Sequence, residues 1–222
     1  MKIHSKAELQ DALNADLSWR KRELTSVLNN VNTSSAKTQQ YFLRSGILLL
    51  YAHWEGFIKN SCEAYLNFVK FQKLRLNQLE DSFLAIALKQ KLAEFENTKK
   101  STIHAQFIKF IRTNLNQDSK INDDIVISTM SNLNSKVLEQ ILVTLGIDYS
   151  PFELKQNLID SQLLNYRNNI AHGEYLIMDL PEYKIIHDEV LRMINQIKTE
   201  IENSVFLEKY KISNGMPATG PV

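Results

Sequence analysis

The chain has 222 residues, 44% of them hydrophobic and 23% charged, with only 6 glycines and 4 prolines. That length supports one sizeable core, and scarce helix breakers amid abundant Leu, Lys, Gln, Glu and Asn favour helices joined by few turns. The formal net charge of +1 excludes binding to nucleic acid through a strongly basic overall field, so any RNA contact has to come from a local patch.

In chain order, the spacing of Leu9, Leu13, Leu17, Leu24 and Leu28 predicts an amphipathic helix from about Lys6 to Val31. The polar run Asn32-Thr33-Ser34-Ser35 offers a turn and an N-cap. A long second helix is expected from about Lys37 to Phe71, with no proline to break it. Its middle, Gly46 to Ile58, is apolar on nearly all sides, which suits the centre of a bundle or a subunit interface. The region from about Leu74 to Asp148 reads as a helical insertion. Within it, Asp81-Ser82 caps a helix through Phe95, and Ser101-Thr102 caps another through Leu115. A loop over Asn116 to Asp124 and a helix from Asn132 to Leu145, ended by Gly146, follow.

Ser150-Pro151-Phe152-Glu153 has the form of a capping box with proline at the first helical position. It opens a helix expected to run to His172, with Gly173 as its stop. Asp179-Leu180-Pro181-Glu182 is a second such box, starting a last helix to about Tyr210. Residues 213–222 read as a flexible tail, and residues 1–212 as a single all-α helical domain.

A single cysteine, Cys62, leaves no intramolecular disulfide and suits a reducing compartment, with the thiol buried and inert. The N-terminus has no signal-peptide pattern, and the apolar run Ile47 to Ala52 is too short to span a bilayer. A cytoplasmic protein without a membrane partner is expected. His4, His53, His104, His172 and His187 have no metal-ligand spacing, and no glycine-rich phosphate loop occurs. No metal and no cofactor is expected. Lys99-Lys100 and the stretch Lys70 to Arg75 are small basic clusters, read first as solvated helix faces.

The segment Tyr166-Arg167-Asn168-Asn169-Ile170-Ala171-His172-Gly173 carries the chemistry. Residues four apart share a helix face, so Asn168 and His172 align, while those five apart differ by about 140°. Arg167 therefore needs its long side chain to reach the same groove. Transesterification of RNA requires a proton to leave the 2′-hydroxyl and another to reach the departing 5′-oxygen. Histidine suits either transfer, since its unperturbed pKa is about 6.5. Arg167 would stabilise charge on the non-bridging oxygens and Asn168 would orient a phosphate or the imidazole. The bland alternative is a helix end at which His172 merely caps. Glu55 sits in the most apolar helix, where an ionised carboxylate needs a partner, either an arginine such as Arg167 or another donor. Tyr51, Trp54 and Phe57 are read as core or dimer contacts rather than base-stacking groups.

The Arg-x4-His pattern of Arg167 to His172, with a polar residue after the arginine, resembles the signature of the HEPN superfamily of helical ribonucleases. Tyr51-Ala52-His53-Trp54-Glu55-Gly56-Phe57-Ile58-Lys59 on the second helix resembles a branch of bacterial HEPN proteins from toxin–antitoxin and other conflict systems. The resemblance covers the first two and last two helices. It implies an all-α, HEPN-like bundle with a helical insertion at about 74–148, between the N-terminal and C-terminal helix pairs. It also implies a homodimer with a composite, metal-independent active site and products with 2′,3′-cyclic phosphate and 5′-hydroxyl ends. The catalytic arginine and histidine map onto Arg167 and His172, and the polar residue onto Asn168. Some relatives are neutralised by nucleotidylation of a tyrosine two positions after the histidine. Here that position is Glu174 and the tyrosine is Tyr175, so the sequence departs from that form of control.

The leading expectation is thus an endoribonuclease, a toxin or defence effector with RNA as substrate and an antitoxin or regulatory protein as partner. A non-catalytic HEPN-like module that binds RNA, a nucleotide or a protein is the competing one. A third option, an antitoxin-like or scaffold role, expects expression alone to be harmless.

Overall fold

Helix α1 (Lys6–Thr33) opens on Ser5, whose hydroxyl accepts from the Glu8 amide at 3.1 Å while the Glu8 carboxylate accepts from the Ser5 amide at 3.2 Å. This reciprocal cap satisfies two donors that a helix start leaves open. The structure is a computed structural model and describes residues 2–96, 100–121, 127–129 and 132–212. α1 buries Leu9, Leu13, Leu17, Leu24 and Val31 along the stripe expected from their spacing. Fully burying such a side chain is worth about 1.5–3 kcal/mol, so this stripe fastens the helix.

The second helix, α2 (Ala36–Phe71), is 36 residues long, about 54 Å at 1.5 Å per residue. It packs against α1, against α7 (Asn165–Ala171) and against α8 (Leu180–Phe206), and so forms the spine of the fold. Trp54, Phe57, Ile58 and Cys62 are fully buried on it, and burial pushes the Cys62 thiol up to about 12. Trp54 and Phe57 are core residues, as expected. The middle of α2 is not enclosed on every side, however: Ala52 is exposed, and Leu48 and Leu49 are half-buried. At Gly46 an added Cβ would lie only 2.6–2.8 Å from the Tyr183 ring, so the bare backbone is what lets α8 cross so closely.

The region between the helix pairs is helical, with boundaries that differ from the sequence reading. Helix α3 (Asp81–Ala87) is capped by Glu80 rather than by Asp81 or Ser82, and a separate α4 (Lys89–Glu96) follows it. The break falls at Leu88 (φ −99°, ψ 4°), which is buried; placing that side chain in the core offsets the lost helical turn. Helix α5 (Ser101–Asn114) lies where expected, but its N-cap is Lys100 and no side chain caps it, so Ser101 and Thr102 lie inside the helix rather than capping it. Helix α6 (Ser135–Thr144) starts three residues later than predicted, capped by the Asn134 side chain at the Val137 amide. Part of the predicted loop from Asn116 to Asp124 and the whole tail from 213 lie outside the described residues, as does Lys99.

Phe83, Leu133, Leu138 and Leu142 join the hydrophobic cluster formed by α1, α2 and α8, and Phe83 meets the Tyr65 ring edge-on at 5.5 Å. A 3-10 turn (Leu76–Gln78) leads to an isolated antiparallel bridge between Leu79 and Lys211. α8 ends at Phe206 rather than near Tyr210. Glu208 takes a positive φ of 52°, and the chain turns so that Tyr210 is buried, edge-on to Phe68 at 5.6 Å.

The helix expected from Ser150 to His172 runs without a gap to Ala171 but changes type along its length: 3-10 (Ser150–Lys155), then π-helical (Leu158–Leu164), then α7, with His172 as its C-cap. Ser150 does not cap it. Its amide and hydroxyl both donate to Asp148, at 2.9 and 2.7 Å, because the ionised carboxylate is the stronger acceptor. Asp179 does cap α8, accepting from the Glu182 amide at 2.8 Å, but the Glu182 carboxylate accepts from Tyr166 instead of closing the box. Among the described residues no helix is long and apolar enough to cross a membrane, and no β-strand forms beyond isolated bridges.

Candidate active site

The π segment positions α7. Its ladder closes one residue wide, with the Asn165 amide donating to the Asp160 carbonyl, and this turns the chain before Arg167. The Asp160 carboxylate accepts from the Ser135 amide at 2.7 Å and hydroxyl at 2.6 Å, binding the segment to the start of α6, where the helix favours an anion. Leu163 and Leu164 are buried, and the Tyr166 hydroxyl donates to Glu182 at 2.8 Å. α7 is therefore held to α2, α6 and α8 at once.

Arg167 is half-buried. Its Nη1 donates to Asn168 Oδ1 at 2.7 Å and reaches Asn132 Oδ1 at 3.4 Å, while the guanidinium carbon stands 4.9 Å from the centre of the Tyr51 ring. A guanidinium over a tyrosine face is attracted by the ring quadrupole and is fixed in plane. The Tyr51 hydroxyl accepts from the Leu133 amide at 2.7 Å. Burial pushes the phenol up to about 12, with Glu55 adding to the shift and Arg167 opposing it, so Tyr51 stays neutral.

Glu55 lies one turn from Tyr51 and is half-buried. Among the described residues no ion pair joins Glu55 to Arg167; the Glu55 carboxylate instead lies close enough to the Tyr51 hydroxyl to raise its pKa, by its charge and, least of the causes, by a hydrogen bond. Replacing Glu55 with Gln removes the charge but keeps the shape. The expected outcome is activity lowered by about tenfold, the worth of one weakened hydrogen bond near 1.4 kcal/mol, with an unchanged melting temperature. A Glu55→Gln protein as active and as stable as the parent removes Glu55 from the site.

His172 is exposed at the C-cap of α7 (φ −85°, ψ 3°). Gly173 has φ +81°, its amide donates to the Ile170 carbonyl at 3.1 Å, and the Glu174 amide donates to the Asn169 carbonyl at 2.9 Å. This pair of bonds ends the helix as its glycine predicts, and a Cβ on Gly173 would touch nothing, so only the positive φ calls for glycine. The fold brings Arg167 and Asn168 together. It leaves His172 at the open end of the same helix, where no described residue bonds its imidazole. Asn168 orients the arginine, not the histidine.

Two contributors escaped the sequence reading. Asn132 lies 35 positions before Arg167, with no local signal to couple them. Arg20 is 4% exposed and occupies the gap between Leu17 and Leu24 in the α1 stripe, which is the signal that could have found it. It donates to Asp16 Oδ2 at 2.9 Å and to the His53 carbonyl at 3.2 Å, and Gly56 leaves it room, since a Cβ there would lie 2.8 Å from Nη1. His53 Nε2 lies 2.8 Å from Glu23, and His53 Nδ1 lies 3.4 Å from Arg20. Burial, with Arg20 adding to it and Glu23 opposing, holds His53 below its usual range.

A rigid, half-open arginine five residues before an exposed histidine can bind an oxyanion and move a proton beside it. No curated protein and no solved structure matches the chain. The model of the family described as RiboL-PSP-HEPN matches residues 15–203, which takes in α1 from residue 15 onward, all of α2 and α7, and all of α8 except its last three residues. The chain belongs to the RiboL-PSP-HEPN family, within the HEPN superfamily of all-α helical domains.

Proposed function

We propose that the protein is a metal-independent endoribonuclease, working as a homodimer and serving as a toxin or defence effector. The observation that carries this reading is the setting of Arg167. Tyr51 and Asn168 lock its guanidinium, yet among the described residues only Nη1 is bonded, leaving donors for the oxygens of a phosphate. Membership of a HEPN family supports the same reading.

In the proposed step the 2′-hydroxyl loses its proton to a base and attacks the adjacent phosphorus. The P–O5′ bond breaks, the 5′-oxygen takes up a proton, and a 2′,3′-cyclic phosphate remains. His172 carries one of these protons and Arg167 neutralises charge on the non-bridging oxygens. A second copy across a twofold axis sets a second α7 against the first, so that each composite site draws on both copies.

Among the described residues no hydrogen bond joins His172 to Arg167, which also favours a second reading, a non-catalytic module that binds RNA, a nucleotide or a protein. Incubating the purified protein with total RNA in EDTA separates the two. The ribonuclease yields fragments with 5′-hydroxyl and cyclic-phosphate ends at the rate seen without chelator. Intact RNA, bound or not, rejects catalysis.

A further inference from the structure

Residues 174–179 link the end of α7 to the start of α8 without helix or strand, and from Tyr175 to Asp179 exposed residues alternate with more buried ones. Met178 is buried and Leu176 half-buried, while Tyr175 and Ile177 are 77% and 71% exposed. α2 ties this segment down at both ends. Arg44 Nη2 donates to the Glu174 carbonyl at 3.2 Å, Gln40 Nε2 donates to the Met178 carbonyl at 2.7 Å, and the Met178 amide returns a bond to Gln40 Oε1 at 3.4 Å. The Arg44 guanidinium also lies 5.8 Å from the centre of the Tyr175 ring. One turn before Arg44 on α2, Tyr41 is 70% exposed. A tethered backbone thus presents one aromatic ring to solvent with a cation beside it, and a second ring stands on the neighbouring helix face.

We infer that Tyr175 is a stacking platform for an unpaired base of a single-stranded RNA. This rests on the ribonuclease reading and adds the class of its substrate. Three residues separate Tyr175 from His172, a span of at most about 11 Å, so the base belongs to a nucleotide close to the phosphate at Arg167. With a net charge of +1 the protein has no general field to hold a polyanion, so affinity has to come from local contacts. Stacking supplies it: every base has a π-face, and tyrosine is ordered at little entropic cost.

The test uses a short, unstructured 2′-O-methyl oligonucleotide, which cannot be cut because it has no free 2′-hydroxyl, together with the RNA of the same sequence. Tyr175→Ala raises both the Kd for the first and the KM for the second by about 5- to 100-fold, the worth of one base–aromatic stack, with kcat and Tyr175→Trp within about twofold of the parent. Parental Kd and KM in Tyr175→Ala overturn the platform. So does a loss of binding that accompanies a shift from dimer to monomer in sedimentation, because the face is then an interface between copies. The two readings fail separately. Tyr175-dependent binding by a parent protein that cuts nothing keeps the platform and sinks the ribonuclease. Cleavage by Tyr175→Ala at parental KM does the reverse.

Discussion

His172→Ala lowers the rate of RNA cleavage by about 10²–10⁴, the usual contribution of a positioned acid or base, and Arg167→Ala lowers it by about 10²–10³. Neither change touches the hydrophobic core, because His172 is exposed and Arg167 half-buried. Circular dichroism and the melting temperature of His172→Ala therefore match the parent. Arg167→Ala leaves the Tyr51 face uncovered and Asn168 without its donor, so a small loss of stability accompanies the loss of rate. Arg167→Lys does not restore activity, because a compact ammonium cannot both cover the ring and fork towards a phosphate. Relief of growth inhibition in cells parallels the loss of cleavage in vitro. If both alanine variants cut RNA at the parental rate, these two residues are not the machinery and the assignment fails.

The second large effect is on stability. Arg20→Ala destabilises the protein by about 3–5 kcal/mol, the cost of breaking a buried charged pair from one side. For a chain of this size that corresponds to a melting temperature lower by about 6–20 °C. The reason is local. Asp16 loses its bond at 2.9 Å, the His53 carbonyl loses its donor, and Trp19 loses the guanidinium 4.6 Å from its ring. The space that Gly56 leaves for Arg20 becomes a void. Arg20→Lys recovers little, since its single ammonium cannot serve Asp16 and the His53 carbonyl together. The damage reaches the site as well, because His53 lies two residues from both Tyr51 and Glu55 on α2. Thermal melts of the parent, Arg20→Ala and Arg20→Lys decide the matter; equal midpoints for all three remove Arg20 as the anchor between α1 and α2.

Much of this architecture is written locally in the chain. The leucine stripe of α1, the proline-free run of α2 and the Asp179 cap of α8 each rest on neighbours within a few positions, so their periodicity and caps can be read directly. The same holds for the stop at Gly173, where a positive φ follows from glycine alone. Arg167, Asn168 and His172 were legible as candidates because they share one short helix. Their chemistry is recognisable by residue type.

Other features depend on residues far apart in sequence. Ser150 has the form of a cap, yet Asp148 takes its hydrogen bonds; Leu88 ends a helix because the core has a place for its side chain. Glu55 required a partner from its place in an apolar helix alone, but only the packed structure sets it near the hydroxyl of Tyr51, whose ring lies under the Arg167 guanidinium. Asn132 meets Arg167 from the insertion, and Arg44 fastens the segment carrying Tyr175 from α2. The sequence by itself determined most of the helices, the ends that rest on local caps such as Ser5, Asp179 and Gly173, and the reactive residue types, because propensity, capping and periodicity act over one or two turns. Tertiary structure alone decided which polar groups pair, since a buried hydrogen bond or stacked guanidinium is specified by positions that packing, not chain neighbourhood, brings within reach.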